Sequence, residues 1–95
     1  MARYISLIRF TEQGAKNIKK STARALAFDK AAEKAGVRIE GQYWTMGACD
    51  GVLIINADNE TKALHCLTEL AADGNVRTET MRAFDASEFN KIVRK

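Results

Sequence analysis

Val52-Leu53-Ile54-Ile55 is an unbroken apolar run between a glycine-flanked turn and the polar Asn56. A short, β-branched run bounded by turn residues reads as a strand. Side chains alternate across a strand, so this one is apolar on both faces and must be covered twice. The N-terminal segment Arg3 to Phe10 repeats the pattern, with Ile5 and Leu7 on one face and Tyr4, Ile8 and Phe10 on the other. A chain of 95 residues has room for one core. Its own helices can cover one face of such a sheet, and the second face needs another cover.

The remaining elements follow from their boundary residues. Thr11 caps a helix. The helical stretch runs to Ala35, with a break expected at Ser21, which would cap a second segment. Ala25, Phe28, Ala32 and Ala35 mark its buried stripe. Gly36 stops it by supplying a left-handed residue. Val37 to Met46 forms the second strand, Gly47-Ala48-Cys49-Asp50-Gly51 a turn, and Val52 to Ala57 the third strand of a hairpin. Asp58 caps a helix to Ala72, with Ala63, Leu67, Leu70 and Ala71 on its apolar face and Asp73-Gly74-Asn75 ending it. Val76 to Phe84 is the fourth strand. Asp85-Ala86-Ser87-Glu88 resembles a capping box and opens a short helix carrying Phe89, Ile92 and Val93. The order β-α-β-β-α-β plus a terminal helix predicts an α+β, ferredoxin-like fold. Its four-stranded antiparallel sheet carries two helices on one face, and residues 1-95 read as a single domain.

Composition removes several classes of protein. Two cysteines, Cys49 and Cys66, are too few for a disulfide framework. The N-terminus shows no secretory pattern, and no apolar run approaches the roughly 20 residues of a membrane span, so a cytoplasmic location is expected. The net charge is +3. Lys16, Lys19, Lys20 and Arg24 cluster locally, but they read as solvated helix charges, not a nucleic-acid footprint.

The second sheet face is the functional clue. A second copy stacked sheet to sheet is the simplest cover, so a homodimer or higher homo-oligomer is expected; the alternative is the terminal helix folding back. On the second strand, Trp44 and Met46 are placed on one side and Val37, Ile39 and Tyr43 on the other. Tyr4, Ser6, Tyr43, Thr45, Thr78, Thr80 and Arg82 are the candidate ligand-binding residues, with Trp44 beside them. Aromatic walls with a few hydroxyls suit a small, flat, partly polar molecule, and an arginine can pair with its carboxylate.

The chain resembles the GYD domain family over nearly its whole length. The resemblance rests on Tyr4, on Thr11 with Gly14, and on Ser21 with Arg24. It continues through Gly41, Tyr43 and Thr45-Met46-Gly47, then Asp50, Gly74 through Thr80, and Arg82-Ala83-Phe84. The family's Gly-x-Tyr-Asp motif stands here as Gly47-Ala48-Cys49-Asp50, with Cys49 in place of tyrosine. The resemblance implies a dimeric α/β barrel with no settled activity. Related dimeric barrels include ligand-sensing domains, cofactor-independent monooxygenases and haem-degrading enzymes.

No catalytic set converges in the sequence. A thiolate at Cys49 is disfavoured beside Asp50. Asp50 itself reads as an Asx-type turn residue. Gly47-x-x-x-Gly51 lacks the lysine of a phosphate loop. His65 lines up with Lys62 and Glu69 on a polar helix face; its functional alternative is an axial haem or metal ligand. The expected function is a non-enzymatic ligand-binding or assembly module without a cofactor. The alternatives are a cofactor-independent monooxygenase or isomerase in the barrel pocket, or a haem or metal binder through His65. Partners are a second copy and a small molecule; membrane and nucleic acid are not expected.

Overall fold

The most apolar strands take the inside of the sheet and the charged ones its edges. The computed structural model describes residues 1–94. β1 (Ala2–Phe10), β2 (Val37–Trp44), β3 (Gly51–Ala57) and β4 (Val76–Ala83) pair antiparallel in the order β2-β3-β1-β4. Charged side chains on β2 and β4 suit positions where one row of backbone groups faces water. The helical elements are α1 (Glu12–Lys16), a 3₁₀ turn (Ile18–Lys20), α2 (Ser21–Lys34), α3 (Glu60–Ala72) and α4 (Ala86–Val93).

The core lies between one sheet face and α2 and α3. Tyr4, Val37, Leu53, Ile55 and Ala57 come from the strands, and Ala32, Ala63, Cys66 and Leu67 from the helices. Burial pushes the Cys66 thiol above its ordinary pKa, as expected for a packing cysteine. Alternation on β3 is strict: Leu53, Ile55 and Ala57 are buried, while Val52, Ile54 and Asn56 are half-buried on the opposite face.

Local signals act as their chemistry requires. The Thr11 hydroxyl accepts from Gly14 N at 3.1 Å and donates to Gly74 O at 2.6 Å. Gly36 has φ +83°, the left-handed residue that stops α2. At α4, Glu88 N donates to Asp85 Oδ1 at 2.8 Å and Asp85 N donates to Glu88 Oε1 at 2.9 Å, completing a capping box.

Other expectations need correction. Ser21 is the first residue of α2 and not its N-cap; its N–H closes the 3₁₀ turn on Ile18 O, and its Oγ accepts from Trp44 Nε1 at 2.9 Å. Asn59, not Asp58, caps α3, because its side chain reaches Lys62 N at 2.9 Å, while Asp58 sits 3.5 Å from Lys62 Nζ. Ala35 and Ala71 are exposed, and Cys66 is buried instead. α2 and α3 leave a cleft between their facing stripes, lined by Phe28, Ala32, Ala35, His65 and Cys66. β2 ends at Trp44, leaving Met46 in the turn and 99% exposed.

The largest correction is on β2. Ile39 pairs with Ile55, but Gly41 pairs with Ile54, so Glu40 is an extra residue in a β-bulge. One inserted residue reverses the side-chain alternation beyond it. Trp44 therefore joins Val37 and Ile39 on the helix side, and Tyr43 goes to the open side. Glycine suits the bulge, because a Cβ at Gly41 would lie 3.1 Å from the Tyr43 ring and 3.2 Å from Ile54.

Candidate functional site

Two surfaces stand out, one on each side of the sheet. The first is the open face. Register places Ile5, Leu7, Val52, Ile54 and Met81 side by side there, with Tyr43 alongside. Charged residues form the border: Arg3, Arg9, Glu40, Arg77 and Glu79. Arg3 reaches across β3 to Glu40, with Nε to Oε1 at 2.8 Å. That hydrogen bond holds the Glu40 carboxyl below its usual pKa and raises the Arg3 guanidinium. An apolar centre with a charged rim has the anatomy of a protein interface.

α4 does not provide the missing cover. It makes no extended contact with any other element, and Phe89, Ile92 and Val93 are all more than half exposed. Its N-terminus lies near Arg3, whose Nη1 is 3.9 Å from Asp85 Oδ2 and 3.8 Å from Glu88 Oε1.

The second surface is a cavity of about 320 Å³ under α2, at the end of the sheet where β1 leaves and β3 enters. The sequence creates it directly. Ala25, Ala27 and Ala31 of α2 face it with little bulk, and the space they leave is walled by Phe10, Phe28 and Leu70. Trp44 closes one side through its bond to Ser21. Arg24 and Asp50 are charged groups in the lining. Asp50 Oδ2 accepts from Phe10 N at 2.8 Å, and Asp50 N donates to Ile8 O at 2.8 Å. The carboxylate thus extends the β1 ladder into the hairpin and does not close its own turn as an Asx residue.

The residues singled out from the sequence fall into separate places. Ser6 Oγ and Thr80 Oγ1 are 2.9 Å apart. Arg82 stacks over the Tyr4 ring at 5.7 Å and the Phe84 ring at 4.4 Å, and donates to the carbonyls of Arg3 and Ala83. Thr78 shares that face, opposite Ile8. Tyr43 is on the open face and 61% exposed, and Thr45 sits in the hairpin, donating to Cys49 O at 2.7 Å. Of the seven, Tyr43 alone lines the larger cavity. Sequence reasoning misses Arg24, Phe10, Phe28 and Gln42. The signal for them is the small-residue face of α2, which buries too little to fill its side of the sheet. His65 is exposed, 3.9 Å from Glu69. Among the described residues no three His, Cys, Asp or Glu side chains cluster as metal ligands.

Asp29, on α2, has a buried Oδ1 without a partner. Desolvation raises its carboxyl above the ordinary range, the Gln42 amide opposes this, and Glu33 adds to it. An acid whose pKa is raised by folding contributes stability at low pH and loses it as pH rises through the folded value. Asp29→Asn is therefore expected to raise Tm at pH 7, by about 2 °C, and to leave it unchanged near pH 3. Thermal melts across that range check it; an equal shift at both pH values contradicts it.

The chain is a ferredoxin-like domain with an open apolar sheet face and a cavity beside it. The chain belongs to the GYD domain family, whose model matches residues 4–93. A Thermus thermophilus protein named glutamine synthetase and cystathionine beta-lyase binding protein is 28% identical over 89 residues, covering 93% of this chain and 94% of that one. The crystal structure of TTHA0845, also from Thermus thermophilus, superposes with a TM-score of 0.59 at 23% identity, covering 90% of this chain and 96% of that one. The structural likeness concerns the fold alone. No helix among the described residues is long and apolar enough to cross a membrane.

Proposed function

We propose that this chain is a non-catalytic binding module that pairs with a second copy across the open sheet face and, as a dimeric barrel, docks onto metabolic enzymes. The observation that carries the reading is the row Ile5, Leu7, Val52, Ile54 and Met81, which neither α4 nor any other described element covers. Residues of both signs on its border suit a two-fold arrangement, in which each patch meets its own copy. The name of the Thermus relative, covering nearly all of both chains, supports a role in protein binding and suggests the first partners to try. In this reading Tyr43 belongs to the shared face. In the Tyr4–Arg82 cluster the buried Tyr4 hydroxyl has no partner, so it is the group left free to meet a ligand there.

The test uses purified protein with glutamine synthetase and with cystathionine beta-lyase from the same source. A dimer mass by light scattering is expected, with a saturable complex with at least one enzyme by biolayer interferometry. A monomer at tens of micromolar removes the pairing. No complex with either enzyme removes the docking role.

A further inference from the structure

The cavity under α2 has a chemistry of its own. We propose that it binds a small monocarboxylate with an apolar body, its carboxylate held by Arg24. The inference does not rest on the pairing reading, because the cavity is walled mainly by α2 and the helix side of the sheet, with only Tyr43 and Val52 common to both surfaces.

Arg24 carries the argument. Its Nη1 donates to Asn17 O at 2.8 Å, which fixes the guanidinium. Its Nη2 is buried with no hydrogen-bond partner, and no carboxylate lies within 4.0 Å of the guanidinium among the described residues. A buried charged donor left unmade is costly, and a carboxylate that meets it after a small turn of the guanidinium recovers that cost with a charge-assisted bond. The bond to Asn17 O already anchors the guanidinium at the cavity wall, so that turn is the main ordering needed on binding.

The rest of the lining selects the body and the charge. Phe10, Phe28, Trp44 and Leu70 present aromatic and branched surface. A volume of about 320 Å³ lies at the small end for ligand pockets, enough for one ring system. Asp50 is already engaged by Phe10 N, while Glu69 and Asp73 are exposed carboxylates in the same lining. They repel a second negative charge, so a dicarboxylate or a phosphate is a poorer fit than a monocarboxylate.

Titration calorimetry of the full chain tests this with 3-phenylpropanoate and indole-3-acetate as probes. Their controls are 3-phenylpropanamide, phenylsuccinate and phenethylamine. Either carboxylate is expected to bind, and the three controls at least about tenfold more weakly. Arg24→Met should cost at least about tenfold, and Arg24→Lys should restore part of the loss. Melting temperatures and circular dichroism confirm that both variants fold. The proposal is overturned if neither carboxylate binds at about 10 mM, a concentration that fills a site of even millimolar affinity. Equal binding by Arg24→Met, or by the amide or the amine, overturns it as well.

Discussion

Gly14→Ala is expected to unfold a large part of the protein at room temperature or leave it at the edge of stability. Helix propensity alone favours the change, since alanine outranks glycine by about 1 kcal/mol. Sterics point the other way. A Cβ at Gly14 would run into Asn75 O, a backbone atom, and lie 2.9 Å from its carbonyl carbon. Neither can rotate aside. Relief requires moving α1 away from the start of β4, which breaks Thr11 N to Asn75 O, Thr11 Oγ1 to Gly74 O and Gln13 Nε2 to Asn75 Oδ1. Overpacking costs about 1–3 kcal/mol and each bond about 0.5–1.5 kcal/mol. The sum, about 2.5–7.5 kcal/mol, is a large share of the roughly 5–15 kcal/mol typical of a domain. Urea melts measure it. Gly47→Ala is the comparison: nothing lies within 4 Å of its Cβ, and only its φ of +109° is strained, so it should cost about 1 kcal/mol. A Gly14→Ala midpoint close to wild type would contradict the contact.

Ile54→Asp carries the second large effect. Ile54 lies between Ile5 and Gly41 in the sheet register, near the middle of the open face. In the proposed dimer, burying an unpaired carboxylate between two stacked sheets costs several kcal/mol, or at least about 100-fold in dissociation constant. Two-fold symmetry of that dimer would place the substitution in the interface twice. Sedimentation velocity should show the variant as a monomer with unchanged circular dichroism. In a single chain the same position is half-exposed, so the fold itself should tolerate the change. A variant that remains dimeric would move the interface elsewhere.

Local chemistry made most of the fold legible. In capping or stopping a helix, Thr11, Gly36 and the Asp85–Glu88 box act through neighbours three residues away or fewer, so that effect is written in short stretches of sequence. The two apolar faces of β1 and β3 were legible for the same reason. The site was less so. The bulge at Glu40 depends on which residues of β3 lie opposite, and no local pattern announces it. That placed Tyr43 and Trp44 on the wrong sides. Arg24 read as one charge in a basic stretch, because the loss of partners at its Nη2 follows from how α2 packs over the sheet. Asp50 was legible as structural, although its target is a strand amide 40 residues away and not its own turn.

The bulge has a practical consequence for anyone working with this molecule in solution. Trp44 is the sole tryptophan, and the extra residue at Glu40 turns it toward α2 and the cavity while turning Tyr43 the other way. The sole indole is thereby placed in the wall of the cavity. Its emission should respond strongly to events beneath α2 and only weakly to occupation of the sheet face, so the cavity can be followed in solution without a label.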